Sequence, residues 1–235
     1  MLFTFPMKLT KVFTLMKKDI QLIASDDHQF NAYEHIPENA HAGLVVLQEI
    51  FGVNDHIRYT SDQFANAGYH VISPALFDRT QKNVQLGYTH QDALEGVELR
   101  SRIAPEETLL DIIASAKHLP YQKIGIVGYC WGGSLSWRAA TETKLFSAAS
   151  CWYGAAIPSL LQHPHHCPVQ MHFGEKDHSI PLDAIEKVRQ AYKDVDIYVY
   201  ENADHGFGCQ ARDSFHKEAY ELAQKRTLDF FAKNL

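Results

Sequence analysis

The stretch Lys123-Ile-Gly-Ile-Val-Gly-Tyr-Cys-Trp-Gly-Gly133 decides how the rest of the chain is read. Ile124 to Val127 form a short apolar, β-branched run, the signature of a buried strand. The run breaks at Gly128-Tyr129-Cys130-Trp131-Gly132, and helix-compatible sequence resumes through Leu135, Trp137 and Ala139. A reactive side chain with glycines two before and two after is the layout of a strand-to-helix elbow carrying a nucleophile, here cysteine where serine is commoner. The backbone at such a residue is strained, and glycines let strand and helix approach closely enough to hold it. The elbow would present Cys130 at the C-terminal end of its strand, beside a helix N-terminus whose orphan N–H groups favour a thiolate. Taken alone, the pattern fits a glycine-rich turn around a buried cysteine equally well, so the flanking sequence has to decide.

Upstream, Asp19–Ala24 and Gln29–His35 are short strand-like runs joined by a turn at Ser25-Asp26-Asp27-His28. Ala42–Gln48 is a continuous aliphatic run, as expected for a strand buried on both faces. Asn54–Ala67 has helical periodicity with a capping Asn54 or Asp55 and a stop at Gly68. His70–Pro74 is the next strand, residues 77–104 are polar and irregular, and Pro105 opens a helix through Leu109, Ile112, Ile113 and Ala116. Downstream, Ala148–Tyr153, Pro168–Phe173 and Asp196–Tyr200 are strands. Pro181–Tyr192 and roughly 214–233 are helices. Strands alternating with helices imply an α/β fold: a mostly parallel central sheet covered by helices on both faces. The chain of 235 residues, 46% hydrophobic, forms a single domain over 1–235, with 1–18 as an N-terminal extension.

A formal net charge of −6 argues against nucleic acid or an anionic membrane as partner. The four cysteines, without a Cys-x-x-Cys, fit reduced thiols in a cytoplasmic protein. The start lacks the features of a signal peptide, and no run approaches the length of a bilayer-spanning helix. No P-loop or G-x-G-x-x-G follows a strand, so no cofactor is expected. His163-Pro-His165-His166-Cys167 offers metal-ligand types, but its proline and loop context read as a connector, and no metal is expected. The oligomeric state, monomer or dimer, stays open.

Functional groups in such sheets gather beyond the C-terminal strand ends. Cys130 ends one strand, Gly174-Glu-Lys-Asp177 follows another, and Asn202-Ala-Asp-His205-Gly-Phe207 follows a third. Nucleophile, acid and histidine in that chain order are the arrangement of an α/β-hydrolase. His205 would take the thiol proton and Asp177 would orient the imidazole, although Glu175 and Asp204 are close rivals for the acid.

With these motifs in view, the sequence resembles the dienelactone hydrolase (carboxymethylenebutenolidase) family from about Asp19 onward. Gly128-Tyr-Cys-Trp-Gly-Gly133 is the most specific match, joined by Gln48-Glu-Ile-Phe-Gly52, Gly174-Glu-Lys-Asp177 and Asp204-His205-Gly-Phe207. The resemblance implies Cys130 as nucleophile, His205 as base then acid, Asp177 as its orienter, and Glu49 as a contact of the resting thiol that gates its ionisation. It also implies an oxyanion hole from the N–H groups of Ile50 and Trp131. The family holds a substrate carboxylate with two arginines. Arg79 matches the first, but Cys209 stands at the second position and Arg212 is the candidate substitute. Tyr153 and Phe207, with Trp152, are candidate linings for the acyl pocket. The expected partner is a small-molecule lactone or activated ester. A general carboxylesterase or thioesterase and a catalytically silent binding protein are the alternatives.

Overall fold

In the computed structural model, residues 16–161 and 163–235 are described. Eight strands build one sheet: β1 (Met16–Ile23), β2 (Gln29–Ile36), β3 (Ala42–Leu47), β4 (Tyr69–Pro74), β5 (Ile124–Tyr129), β6 (Ala148–Trp152), β7 (Val169–Gly174) and β8 (Asp196–Tyr200). Their spatial order is β1-β2-β4-β3-β5-β6-β7-β8. β1 and β2 pair antiparallel, as do β2 and β4, and every later pairing is parallel. Met16–Lys18, assigned from sequence to an extension, pair with Ile36, His35 and Glu34 and so belong to the sheet. The remainder of that extension lies outside the described residues.

The central strands β3, β4, β5, β6 and β7 are buried along their whole length, which is why they read as unbroken apolar runs rather than alternating ones. Six α-helices cover them: α1 (Asp55–Asn66), α2 (His90–Ser101), α3 (Pro105–His118), α4 (Trp131–Glu142), α5 (Leu182–Ala191) and α6 (Lys217–Asn234). Asn54 caps α1 by accepting from the Ile57 N–H. α1 and α6 meet through Phe64 and Phe231, whose rings lie edge to face at 6.2 Å. Phe231 also reaches Gly125, where an added Cβ would come within 3.1 Å of it. On the other face, Leu119 at the end of α3 closes on Gly43 of β3.

α2 was not expected from the sequence. Only Gly96 and Leu99 of its twelve residues are buried, so it shows no apolar stripe. Its signal was the capping box: Asp92 Oδ2 accepts from the Thr89 N–H at 2.8 Å while Thr89 Oγ1 accepts from the Asp92 N–H. Gly96 lies so close to the Ile50 carbonyl that a Cβ there would sit 1.9 Å from its oxygen, so α2 presses directly on the loop after β3.

Chain direction across the sheet reverses between β3 and β5, with β4 on one side and β6 on the other. In sheets of this kind, ligand sites lie at such switch points, outside the C-terminal strand ends. The loop after β3 carries Glu49 and Ile50, and the turn after β5 carries Cys130.

Candidate active site

Cys130 occupies the sharp turn between β5 and α4, with φ 54° and ψ −111°, a conformation that L-residues rarely adopt. Its N–H donates to the Trp152 carbonyl at 3.0 Å, and its own carbonyl accepts from Ser134 at 3.2 Å. The turn closes because Gly128 and Gly132 have no side chains. A Cβ on Gly128 would meet the Gly132 oxygen at 2.0 Å, and one on Gly132 would meet the Leu47 and Gln48 oxygens at 2.6 Å. The Gly132 N–H also donates to the Gln48 carbonyl at 3.0 Å, tying the elbow to the loop that carries Glu49 and Ile50. Gln48 fixes that loop from the other side, since its Oε1 accepts from the Leu76 N–H.

His205 presents its ring toward Cys130. Burial lowers its pKa, but the Cys130 charge and hydrogen bonds to Asp177 and Cys130 reverse that and raise it from 6.5 to about 10. Nδ1–H donates to Asp177 Oδ2 at 2.7 Å, and Asp177 Oδ1 accepts from the Ser179 N–H at 2.8 Å. The rival acids are occupied elsewhere: Glu175 accepts from the Asn202 N–H and Asp204 from the His205 N–H. The N–H groups of Trp131, the first residue of α4, and of Ile50 find no acceptor among the described residues. Both belong to the segments that the Gly132–Gln48 bond holds together.

Glu49 is buried, and its Oε1 accepts from Arg212 Nη1 at 3.3 Å. Its Oε2 has no hydrogen-bond partner among the described residues. Arg212 reaches the site because Gly206, at φ 76°, leaves room for it: a Cβ there would sit 2.3 Å from Nη1. The guanidinium also lies over the Phe51 ring, 5.7 Å from its centroid. Tyr153, at φ 37°, packs its ring edge-on against His205 at 5.2 Å. Phe207 is fully buried and stacks on Trp152, supporting that wall from behind.

Arg79 is placed differently from the expectation. Its side chain, only 6% exposed, donates to both oxygens of buried Asp111 at 2.9 and 2.7 Å and to Asp26 at 2.8 Å. The one-turn 3₁₀ helix Leu76–Arg79 aims the guanidinium at α3 and the β1–β2 turn, where two carboxylates engage it. Arg79 is thus a structural ion-pair residue, and Arg212 is the cation beside Glu49. In the segment His163–Cys167, His165 bonds the Cys167 carbonyl and Asp194.

A second grouping escaped the sequence. Glu49, His56 and Cys209 are all buried, and their ligand atoms lie within 4.8 Å of one another. Residues 49, 56 and 209 share no motif; the start of α1 and the loop after His205 bring them together only in three dimensions. Tyr88 touches Cys209, whose thiol is pushed up to about 11 by burial and by the nearby Glu49 charge.

Among the described residues, no helix is long and apolar enough to cross a membrane. The profile of the dienelactone hydrolase family matches residues 30–235. A carboxymethylenebutenolidase from Pseudomonas putida is 29% identical over 230 residues, covering 93% of this chain and 97% of that protein. A Synechocystis sp. relative, provisionally named carboxymethylenebutenolidase, is 31% identical over 242 residues and covers 94% and 98%. The crystal structure of a provisionally named dienelactone hydrolase from Klebsiella pneumoniae superposes with a TM-score of 0.80 at 30% identity, covering 92% of this chain and 99% of that one. With its α/β-hydrolase sheet, the chain belongs to the dienelactone hydrolase family and is a carboxylic ester hydrolase.

Proposed function

We propose that the chain hydrolyses small lactones or activated carboxylic esters through a covalent intermediate on Cys130. The observation that carries this reading is the cysteine at a strained elbow, beside an imidazole that Asp177 holds in place and whose pKa is raised. With the proton on His205, Cys130 attacks as thiolate, and its sulfur bonds the carbonyl carbon. The carbonyl oxygen gains negative charge and is received by the Ile50 and Trp131 N–H groups, each such donor being worth about 3 kcal/mol in the transition state. The tetrahedral intermediate collapses, the ester C–O bond breaks, and the leaving alkoxide takes the imidazolium proton. In a lactone the alkoxide stays tethered, so the product is a ring-opened acyl thioester. Neutral His205 then takes a proton from water, whose hydroxide attacks the thioester carbon. Collapse expels the thiolate, releasing the acid and restoring the thiolate–imidazolium pair.

Substrate choice turns on Arg212. With Arg79 engaged by Asp26 and Asp111, Arg212 is the cation placed to meet a substrate carboxylate, and Glu49 already occupies it in part. This single, shared arginine favours neutral esters or thioesters as a second reading. The two are separated by kcat/KM on a carboxylate-bearing lactone and on 4-nitrophenyl acetate, in wild type, Cys130→Ala and Arg212→Ala. Cys130→Ala should abolish both activities. Selective loss of the lactone in Arg212→Ala favours the anionic substrate, whereas equal effects on both favour the neutral one. Unchanged turnover in Cys130→Ala overturns the mechanism.

A further inference from the structure

We propose that Glu49, His56 and Cys209 form a site for a soft divalent cation, of the zinc class, and that occupying it inhibits the enzyme. A carboxylate oxygen, an imidazole nitrogen and a cysteine sulfur are the three donor types zinc takes from proteins. Bonds of about 2.0–2.3 Å place tetrahedral ligands roughly 3.3–3.8 Å apart. The three donor atoms already lie within 4.8 Å of one another, so small side-chain rotations close the set.

An independent observation points to the same place. Glu49 Oε2 and His56 Nε2 are both buried and find no hydrogen-bond partner among the described residues; Glu49 is 1% exposed and His56 8%. An unsatisfied buried polar atom costs about 1–3 kcal/mol, and two of them in one three-residue cluster call for a ligand. Arg212 does not block the ion, because it bonds the other carboxylate oxygen, Oε1. As the ion binds, the Cys209 thiol proton leaves to solvent and a sulfur–metal bond forms. One dication with the Glu49 carboxylate and Cys209 thiolate is then neutral overall, and no electrons change hands.

The site adjoins the catalytic machinery. Glu49 directly precedes the proposed oxyanion donor Ile50, and the His56 ring packs edge-on to Tyr129, the residue before Cys130, at 6.1 Å. A bound ion would hold the Glu49 carboxylate away from the Cys130 thiol and the substrate and would draw on the loop bearing Ile50. The inhibitory half rests on the function proposed above; the binding half does not.

Cobalt separates the two. Reduced protein without a histidine tag, titrated with Co²⁺, should develop a thiolate-to-cobalt charge-transfer band saturating at one equivalent and bleached by Zn²⁺. The band should disappear in Cys209→Ser, persist in Cys130→Ser, and need about tenfold or more cobalt in His56→Asn, which guards against misfolding of the cysteine variant. Zn²⁺ should inhibit wild-type ester hydrolysis, reversibly with EDTA, and Cys209→Ser should be about tenfold or more less sensitive. A band that survives Cys209→Ser but vanishes in Cys130→Ser would place the ion on the triad and overturn the site, as would no band at all. A band that follows Cys209 without zinc inhibition keeps the site and overturns the inhibition. Retained activity in Cys130→Ala would instead defeat the catalytic reading and leave the cobalt result standing.

Discussion

Replacing Arg79 with methionine removes the cation from a network in which Asp111 is wholly buried and Asp26 is 35% exposed. Burial raises the Asp111 pKa to about 6 even with Arg79 beside it, so loss of the guanidinium strands a carboxyl group already near the limit of ionisation. Breaking a buried pair from one side costs about 3–5 kcal/mol. Because Asp26 can rehydrate and Asp111 can take up a proton, the lower end, about 3 kcal/mol, is expected. With a urea m-value of roughly 3 kcal/mol/M, the unfolding midpoint should fall by about 1 M. Adding Asp111→Asn should recover most of that loss, since no buried charge then remains unpaired. The kcat/KM for a carboxylate-bearing lactone, taken where the variant is folded, should stay within about twofold of wild type. A midpoint unchanged within about 0.2 M, together with a tenfold higher KM for that lactone, would show that Arg79 grips substrate and that its place in the ion-pair network is wrong.

Gly128→Ala should not give an active folded protein, because its Cβ would meet backbone atoms of Gly132 at 2.0 and 2.3 Å; recovery of wild-type turnover would disprove the closeness of the elbow. Asp177→Asn should lower the His205 pKa and reduce kcat on the order of 10²–10⁴-fold, read from pH–rate profiles. In wild type the folded pKa of His205 lies above its ordinary value. Its contribution to stability should thus be full below about pH 6.5 and be lost as pH rises through about 10, seen as a shrinking difference from His205→Gln in urea titrations. Glu34 behaves oppositely: burial would raise its pKa, but His70, His118 and Lys18 hold it at about 2. Its contribution should be present above about pH 4.5 and fade as pH falls through 2, and Glu34→Gln should flatten acid unfolding while leaving kcat at neutral pH unchanged.

The central strands of this sheet were legible because burial on both faces writes itself as aliphatic runs, and the elbow because its glycines are demanded by contacts of 2.0–2.6 Å. Asp177 and His205 were legible because parallel strands deliver their C-terminal loops to one edge. α2 was hidden because one buried leucine and one glycine make no stripe, and only its Thr89–Asp92 capping box announced it. Arg79 misled because its position after β4 points to the right end of the sheet, while partners on α3 and the β1–β2 turn decide where the guanidinium goes. The Glu49–His56–Cys209 cluster had no sequence signature, since the packing of α1 against the strand-end loops creates it.

The most direct test of covalent catalysis at the elbow is to mix the protein with 4-nitrophenyl acetate, quench in acid within the first turnovers, and map the adduct by peptide mass spectrometry. The expected result is a single acetyl group on the peptide containing Cys130, absent from Cys130→Ala and accumulating further in His205→Gln wherever that variant still acylates. Turnover with acetyl groups on other residues, or rapid hydrolysis persisting in Cys130→Ala, would contradict it.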